Sequence, residues 1–315
     1  MTIYKLPEMT AASLPDRPFS FALGSFDGVH IGHRRLLSEA ARLSAEIPGC
    51  APAVWTFASL VKGDPPVPLL TTTEEKLRLF ARAGMEYAVL ADFDTVRSMS
   101  AEEFASSYLP GVMRCRAAVC GFNFRFGRGG LGDAERLARL LGERGIPVSV
   151  VQPVLSGSRI VSSTRIRAAV AEGDMESACT LLGRPFSICF PVVYGNQLGR
   201  TIGLPTINQD FPAGHIIPCH GIDACICTVG NRRYAGVANV GVRPSVRSDG
   251  HVNCETHIID YDGFLYGQEI RVEFCHRLRG EKRFPSVEAL RAAIEADVQH
   301  TRDYFAAHPI GEETP

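Results

Sequence analysis

Residues 24–37 read GSFDGVHIGHRRLL. The apolar run FALGSF gives way here to a charged helical pattern, so His30 and His33 fall in and just past a loop between a strand and a helix. Three chemistries compete for two imidazoles in that position. A metal centre needs further ligands, and only Asp27 is near in sequence. The bland alternative is that both histidines are merely polar loop residues. A phosphate site accounts for both features: in open α/β sheets ligands bind at the carboxyl edge of the strands. Gly28 and Gly32 remove side chains where an anion approaches the backbone, and a helix starting near Gly32 aims its free N–H groups and positive dipole end at the same place. Imidazoles there can donate to phosphate oxygens as charge develops during transfer. The phosphate reading is the one carried forward.

Working outward, residues 18–160 alternate short apolar runs (PFSFALGSF, PAVWTF, YAVLADF, AAVCGF, PVSVVQPVL) with helical stretches near 33–46, 73–83, 100–109 and 131–144. Apolar runs with little alternation are expected of parallel strands covered on both faces, so the first half reads as a doubly wound, Rossmann-like α/β domain. A helical segment, TRIRAAVAEGDMESACTLLG, closes it. After Gly183 the texture changes to Gly- and Pro-rich sequence with short strands (DACICTV, RYAGVANV, CETHIIDY, EIRVEFCHRL) and tight turns, the pattern of a small antiparallel barrel. Pro285 and Ser286 start one last helix, to about Ala306. The expected domains are 1–183 and 184–315.

The 315 residues suit two domains, and 45% hydrophobic with 21% charged residues suits packed cores. A net charge of −1 offers no footprint for nucleic acid. The first residues show no signal-peptide core and nothing reaches transmembrane length, so the ten cysteines are expected as reduced thiols of a cytoplasmic protein away from membranes. Cys225 and Cys227, near Cys219 and His220, invite a zinc reading. No C-x-x-C pair occurs, however, and DACICTV reads better as a strand with small buried side chains.

HIGH after a first strand resembles the nucleotidyltransferase signature shared by class I aminoacyl-tRNA synthetases and small adenylyltransferases. The longer LGSFDGVHIGHRRLL resembles more narrowly the bacterial bifunctional riboflavin kinase/FMN adenylyltransferase (FAD synthetase) family. That resemblance implies an ATP site built from Gly24, Phe26, Asp27, Gly28 and Gly32 around the catalytic His30 and His33. VSSTRIR (161–167) offers caps for the next helix in Ser162, Ser163 and Thr164 and charge-assisted donors in Arg165 and Arg167. It is similar to the family's Ser-Ser-Thr-x-x-Arg grip on the ATP β/γ-phosphates. GFNFRFGRGGLGD (121–133) resembles a family loop in which the polar residue, Asn123 here, helps seat nucleotide and flavin; Phe124 and Phe126 fit either a flavin stack or the core. The family's Thr-Phe-Asp-Pro-His-Pro string departs here to WTFASLVKGDPP, which puts Ala58 and Leu60 at the acidic and histidine positions, with Asp64 out of line.

In the second half, GRTIGLPTIN (199–208) is similar to the riboflavin kinase signature. Gly199 and Gly203 permit a tight loop, Arg200 adds a cation and Pro205 stiffens the turn. The Thr206 hydroxyl and the Asn208 amide oxygen are hard ligands suited to Mg²⁺. In NCETHIIDY, alternation puts Asn253, Glu255 and His257 on one strand face. Glu255 matches the family's catalytic glutamate, implied to be the general base for the riboflavin 5′-hydroxyl. RLRGEKRF resembles the flavin-side loop, with Arg279 and Glu281 matching and Gly280 replacing an acid. The family also carries a glycine shortly before its Val-Val-x-Gly, which is missing ahead of VVYG in SICFPVVYG, and Ser245 stands for a threonine.

Together these strings imply an enzyme that uses ATP and Mg²⁺ to convert riboflavin to FMN and FMN to FAD. Two other outcomes stay open: one live half, the adenylylating half being the more exposed to loss, or a non-catalytic flavin- or nucleotide-binding protein. The sequence leaves oligomeric state unread.

Overall fold

The apolar runs of the first half become a six-stranded parallel sheet, β1 (Thr2–Lys5), β2 (Phe19–Leu23), β3 (Ala51–Phe57), β4 (Tyr87–Ala91), β5 (Cys115–Gly121) and β6 (Val148–Val151), in the order β1-β4-β3-β2-β5-β6. Strand β2 is buried at every position because helices cover both faces. Phe19, Phe21 and Leu23 enter one core cluster and Ala22 the other, the two-residue period of a strand expressed on both sides. The clusters are completed by α1 (Ile31–Glu46) and α2 (Thr73–Arg82) on one face and α3 (Ala134–Gly142) on the other. The computed structural model describes residues 1–5, 14–57, 66–195, 199, 203–242 and 252–311.

Two elements differ from the sequence expectation. Strand β1 lies at the sheet edge with mostly exposed residues, so no apolar run announced it. The helix expected near 100–109 runs as one turn at Ala101–Glu103 and then a wider π-helical stretch, Phe104–Val112, in which Met113 N–H donates to Tyr108 O at 2.9 Å. Pro110, which has no N–H to give, sits inside it.

By internal packing the chain divides into Met1–Val67 with Thr71–Ser162, and Pro68–Leu70 with Ser163–Pro315. The second unit holds α4 (Ser163–Glu172), α5 (Met175–Leu182) and six antiparallel strands, β7 (Phe186–Pro191), β8 (Ile207–Asp210), β9 (Gly221–Val229), β10 (Arg232–Val242), β11 (Val252–Ile258) and β12 (Glu269–Arg279), in the order β7-β12-β9-β10-β11-β8. Val193 N–H donates to Asn208 O at 2.8 Å across the remaining seam, and Gln209 Nε2 donates to Phe190 O and Ile270 O, each at 2.7 Å, so the barrel is nearly closed. Gly183, left-handed at φ 67°, ends α5. The final helix, α6 (Val287–Ala307), is capped by Ser286 and lays Val298 against Ile222, Val237 and Ile259 of the barrel wall. Composition changes at Gly183, whereas packing divides after Ser162, because α4 and α5 pair with the barrel: Cys219 N–H donates to Val170 O at 3.0 Å, and His276 Nδ1 meets Glu176 Oε1 at 2.5 Å. Among the described residues, no helix is long and apolar enough to cross a membrane.

Candidate functional site

In the first unit the chain passes from β2 to β3 and β4 on one side and later places β5 on the other. The carboxyl ends of β2 and β5 therefore flank the point where strand order reverses, the usual ligand position in such sheets. The loop after β2 carries His30 and His33. Its backbone is strained: Phe26 and Val29 take φ of 53° and 40°, and Gly28 takes 82°, which glycine alone adopts without strain. His30 is the N-cap of α1, its Nδ1 accepting from His33 N–H at 3.2 Å. That bond puts the proton of the neutral ring on Nε2. The two rings stack at 3.6 Å between centroids.

The glycines of the loop act differently from the sequence expectation. A Cβ on Gly32 would meet His30 Cε1 and Nδ1 at 3.1 Å, so the space freed there is taken by the imidazole. Gly24 likewise lies against the Phe26 ring. Phe26 is wholly buried between His33 (5.2 Å) and Phe80 (5.5 Å), so its side chain backs the histidine. Asp27 is also buried, its Oδ1 accepting from the Thr71 N–H and hydroxyl, both at 3.2 Å.

Beside this loop sits Lys76, which the sequence reading did not single out. Its Nζ donates to Phe57 O at 2.8 Å and reaches Ser25 O at 3.5 Å, and the residue is only 6% exposed. Burial pushes the ammonium down to about 8, opposed by the charge of Asp27. Keeping it charged at neutral pH costs on the order of 3 kcal/mol. A lone lysine in a helical run carries no sequence signal of this.

The loop after β5 folds Asn123 over Gly121, where a Cβ would lie 3.2 Å from Asn123 Oδ1. Asn123 is exposed and Phe124 half-buried, whereas Phe126 is 6% exposed and packs on Phe104 at 5.4 Å. Of the two candidate flavin rings, Phe126 is a core side chain and Phe124, stacked on it at 5.7 Å, is only partly buried against that core. Ser162 ends the first unit. Ser163, Thr164, Arg165 and Arg167 lie in the first turns of α4 and not ahead of it. Arg167 Nε donates to Pro68 O at 2.6 Å within the second unit.

In the barrel, β8 and β11 pair so that Asn208 stands opposite Glu255. The Thr206 hydroxyl donates to Glu255 Oε1 at 2.5 Å, and Asn253 Nδ2 donates to the buried Asn208 Oδ1 at 2.7 Å. Asn253, missed as a site residue, orients the Asn208 amide; its place two residues before Glu255 on the same face was the available signal. His257 Nδ1 contacts Pro205 O at 2.8 Å. Gly199 has no room for a side chain against Leu204 O, and Gly203 turns the loop at φ 80°. Thr206 also borders a cavity of about 230 Å³ lined by Thr256, Tyr261, Phe264, Leu265 and Tyr266. The oxygens of Thr206, Asn208 and Glu255 are hard donors, and a few protein oxygens completed by substrate phosphates is the coordination Mg²⁺ accepts.

Arg279 is committed elsewhere than expected. Its guanidinium forms a two-point pair with the buried Asp297 of α6, at 3.0 and 2.7 Å, and lies 5.6 Å from the Phe284 ring. Glu281 reaches across Gly241, 3.7 Å from His220 Nδ1. Arg200, Ala58, Leu60, Asp64 and Ser245 lie outside the described residues.

Two family models match this chain, one described as FAD synthetase over residues 14–165 and one described as riboflavin kinase over residues 182–305. The bifunctional riboflavin kinase/FMN adenylyltransferase of Listeria monocytogenes is 33% identical over 311 residues, covering 97% of this chain and 98% of that protein. The protein of the same name from Escherichia coli (strain K12) is 34% identical, covering 92% and 94%. A crystal structure described as a macrolide-efflux protein from Streptococcus pneumoniae superposes with a TM-score of 0.83 at 29% identity, over 96% of this chain and 99% of that one.

Proposed function

Because this chain belongs to the bifunctional riboflavin kinase/FMN adenylyltransferase family, we infer that the two constellations described above carry its two reactions. The enzyme phosphorylates riboflavin with ATP to FMN and then adenylylates FMN with a second ATP to FAD, releasing pyrophosphate. The assignment of residues is our own, as is the division of labour, residues 1–183 for adenylyl transfer and 184–315 for the kinase.

Glu255 takes the proton of the riboflavin 5′-hydroxyl as that oxygen attacks the γ-phosphorus and ADP departs. Thr206 holds Oε1 by its hydroxyl hydrogen and leaves Oε2 to act as base. Thr206 Oγ1 and Asn208 Oδ1 are the groups that would hold Mg²⁺; when bound, the ion supplies charge neutralisation on the ATP phosphates. In adenylyl transfer an FMN phosphate oxygen attacks the α-phosphorus. That oxygen is already ionised at neutral pH, so no base is required. His30, donating from Nε2, and His33 stabilise the charge that builds on the phosphate. Asn123 and Phe124 serve the nucleotide and flavin, and Glu281 the flavin of the kinase half. The ten cysteines stand as free thiols, none of them exposed, which supports a reducing, cytoplasmic setting.

The observation that supports this reading best is the bond from Thr206 to Glu255: a carboxylate stands beside a hydroxyl, equipment that a mere flavin binder does not need. Incubation of the purified protein with riboflavin, ATP and Mg²⁺, and separately with FMN, ATP and Mg²⁺, tests it. FAD from both mixtures is expected. FMN as the end product would mean one live half, and no product would mean a binding protein.

A further inference from the structure

Helix α2 meets the loop after β2 at two points. Thr71, just ahead of the helix, donates twice to Asp27 Oδ1 and accepts from Gly28 N–H at 3.1 Å. Further along, Lys76 Nζ holds Phe57 O at 2.8 Å and approaches Ser25 O, which the Thr56 hydroxyl also holds at 3.1 Å. Both contacts land on Ser25–Gly28, the strained stretch that leads into His30. Hydrogen bonding alone does not account for a lysine there, because a neutral amide would bond the same carbonyls without burying a charge. The charge has another use. Asp27, buried three residues before His30, sets a negative charge where a triphosphate is to bind, and its field acts on Lys76.

We propose that Lys76 is a positioning residue for adenylyl transfer: its ammonium ties the carboxyl ends of β2 and β3 beneath the His30 loop and cancels the charge of Asp27, so that ATP meets a loop without net negative charge. This rests on the assignment of His30 and His33 to that reaction. The idea separates charge from hydrogen bonding. It also ties the effect of Lys76 to Asp27 and to no other acid.

The full-length variants Lys76→Met, Lys76→Gln, Asp27→Asn and the double Lys76→Met/Asp27→Asn test this, with steady-state FMN adenylylation as readout and riboflavin phosphorylation and Tm as controls. Lys76→Met should raise the KM for ATP in adenylylation about tenfold, equivalent to ~1.4 kcal/mol, with riboflavin phosphorylation unchanged. Lys76→Gln, which keeps a donor without the charge, should behave like Lys76→Met. In the double variant the KM should return most of the way toward that of Asp27→Asn alone, with a Tm no lower than that of the parent. Full rescue by Lys76→Gln, additive losses in the double variant, or equal loss of both activities would overturn the proposal. His30→Ala, run alongside, separates the two levels: if it spares adenylylation, the site assignment fails and takes the proposal with it. If it abolishes adenylylation while Lys76→Met stays normal, only the role of Lys76 fails.

Discussion

At the scale of single residues, the two sites differ in what they ask of a side chain. On the proposed assignment Glu255 moves a proton, so Glu255→Gln should lower the kcat of riboflavin phosphorylation by about 100-fold or more while adenylylation of supplied FMN continues. A coupled ADP assay and an FAD assay on one preparation read both. Lys76 moves no proton, yet it leaves a mark on stability. Its folded value lies near 8 and its ordinary value at 10.5, so between those pH values the unfolded chain holds a proton that the folded chain has released. Stability should therefore rise with pH across that window, and the cost of about 3 kcal/mol should be fully present below pH 8. Lys76→Met should flatten this part of the profile, as measured by chemical denaturation at pH 7 and pH 10.

At the scale of elements, α1 shows a helix start shaped around a ring. A Cβ on Gly32 would press on His30 Cε1 and Nδ1 at 3.1 Å, displacing the imidazole, although alanine is the better helix former by about 1 kcal/mol. Gly32→Ala should thus reduce FMN adenylylation several-fold with a Tm that holds or rises. Opposite behaviour is expected at Arg279, whose partner Asp297 is buried on α6. Arg279→Ala should cost about 3 kcal/mol, seen as a lower Tm, because it strands a carboxylate between helix and barrel. Much of this level was legible beforehand. The helical stretch near 73–83 anticipated α2, and Pro285 with Ser286 the start of α6. Strand β1 was not legible, since an exposed edge strand has no apolar pattern, and neither was the π-helical winding around Pro110.

For the whole molecule, the described contacts of His30 lie in one unit and those of Glu255 in the other. On the proposed assignments the two activities share no residue and can be inactivated one at a time. His30→Ala should abolish FAD formation from FMN and leave riboflavin phosphorylation intact. An equimolar mixture of His30→Ala and Glu255→Gln should then make FAD from riboflavin, because FMN released by one molecule serves the other. No FAD from the mixture, with each variant retaining its remaining activity, would show that FMN does not pass through solution.

What the sequence determined by itself is the local arrangement of neighbours along the chain. The glycine-spaced histidines lead into α1, the glutamate alternates with buried residues on β11, and threonine and asparagine sit two apart at the start of β8. Each of these depends on a period or spacing of a few residues, and a period survives in sequence. What only the tertiary structure decided is which distant group each of them meets. Asn253 turns out to orient Asn208, Arg279 to belong to Asp297, Phe126 to the core and Lys76 to the carbonyls of Ser25 and Phe57. The physical reason is that strand order and burial set these pairings: a carbonyl at the end of a strand becomes a partner only once sheet and helix are packed, and a charge becomes costly only once water has left it.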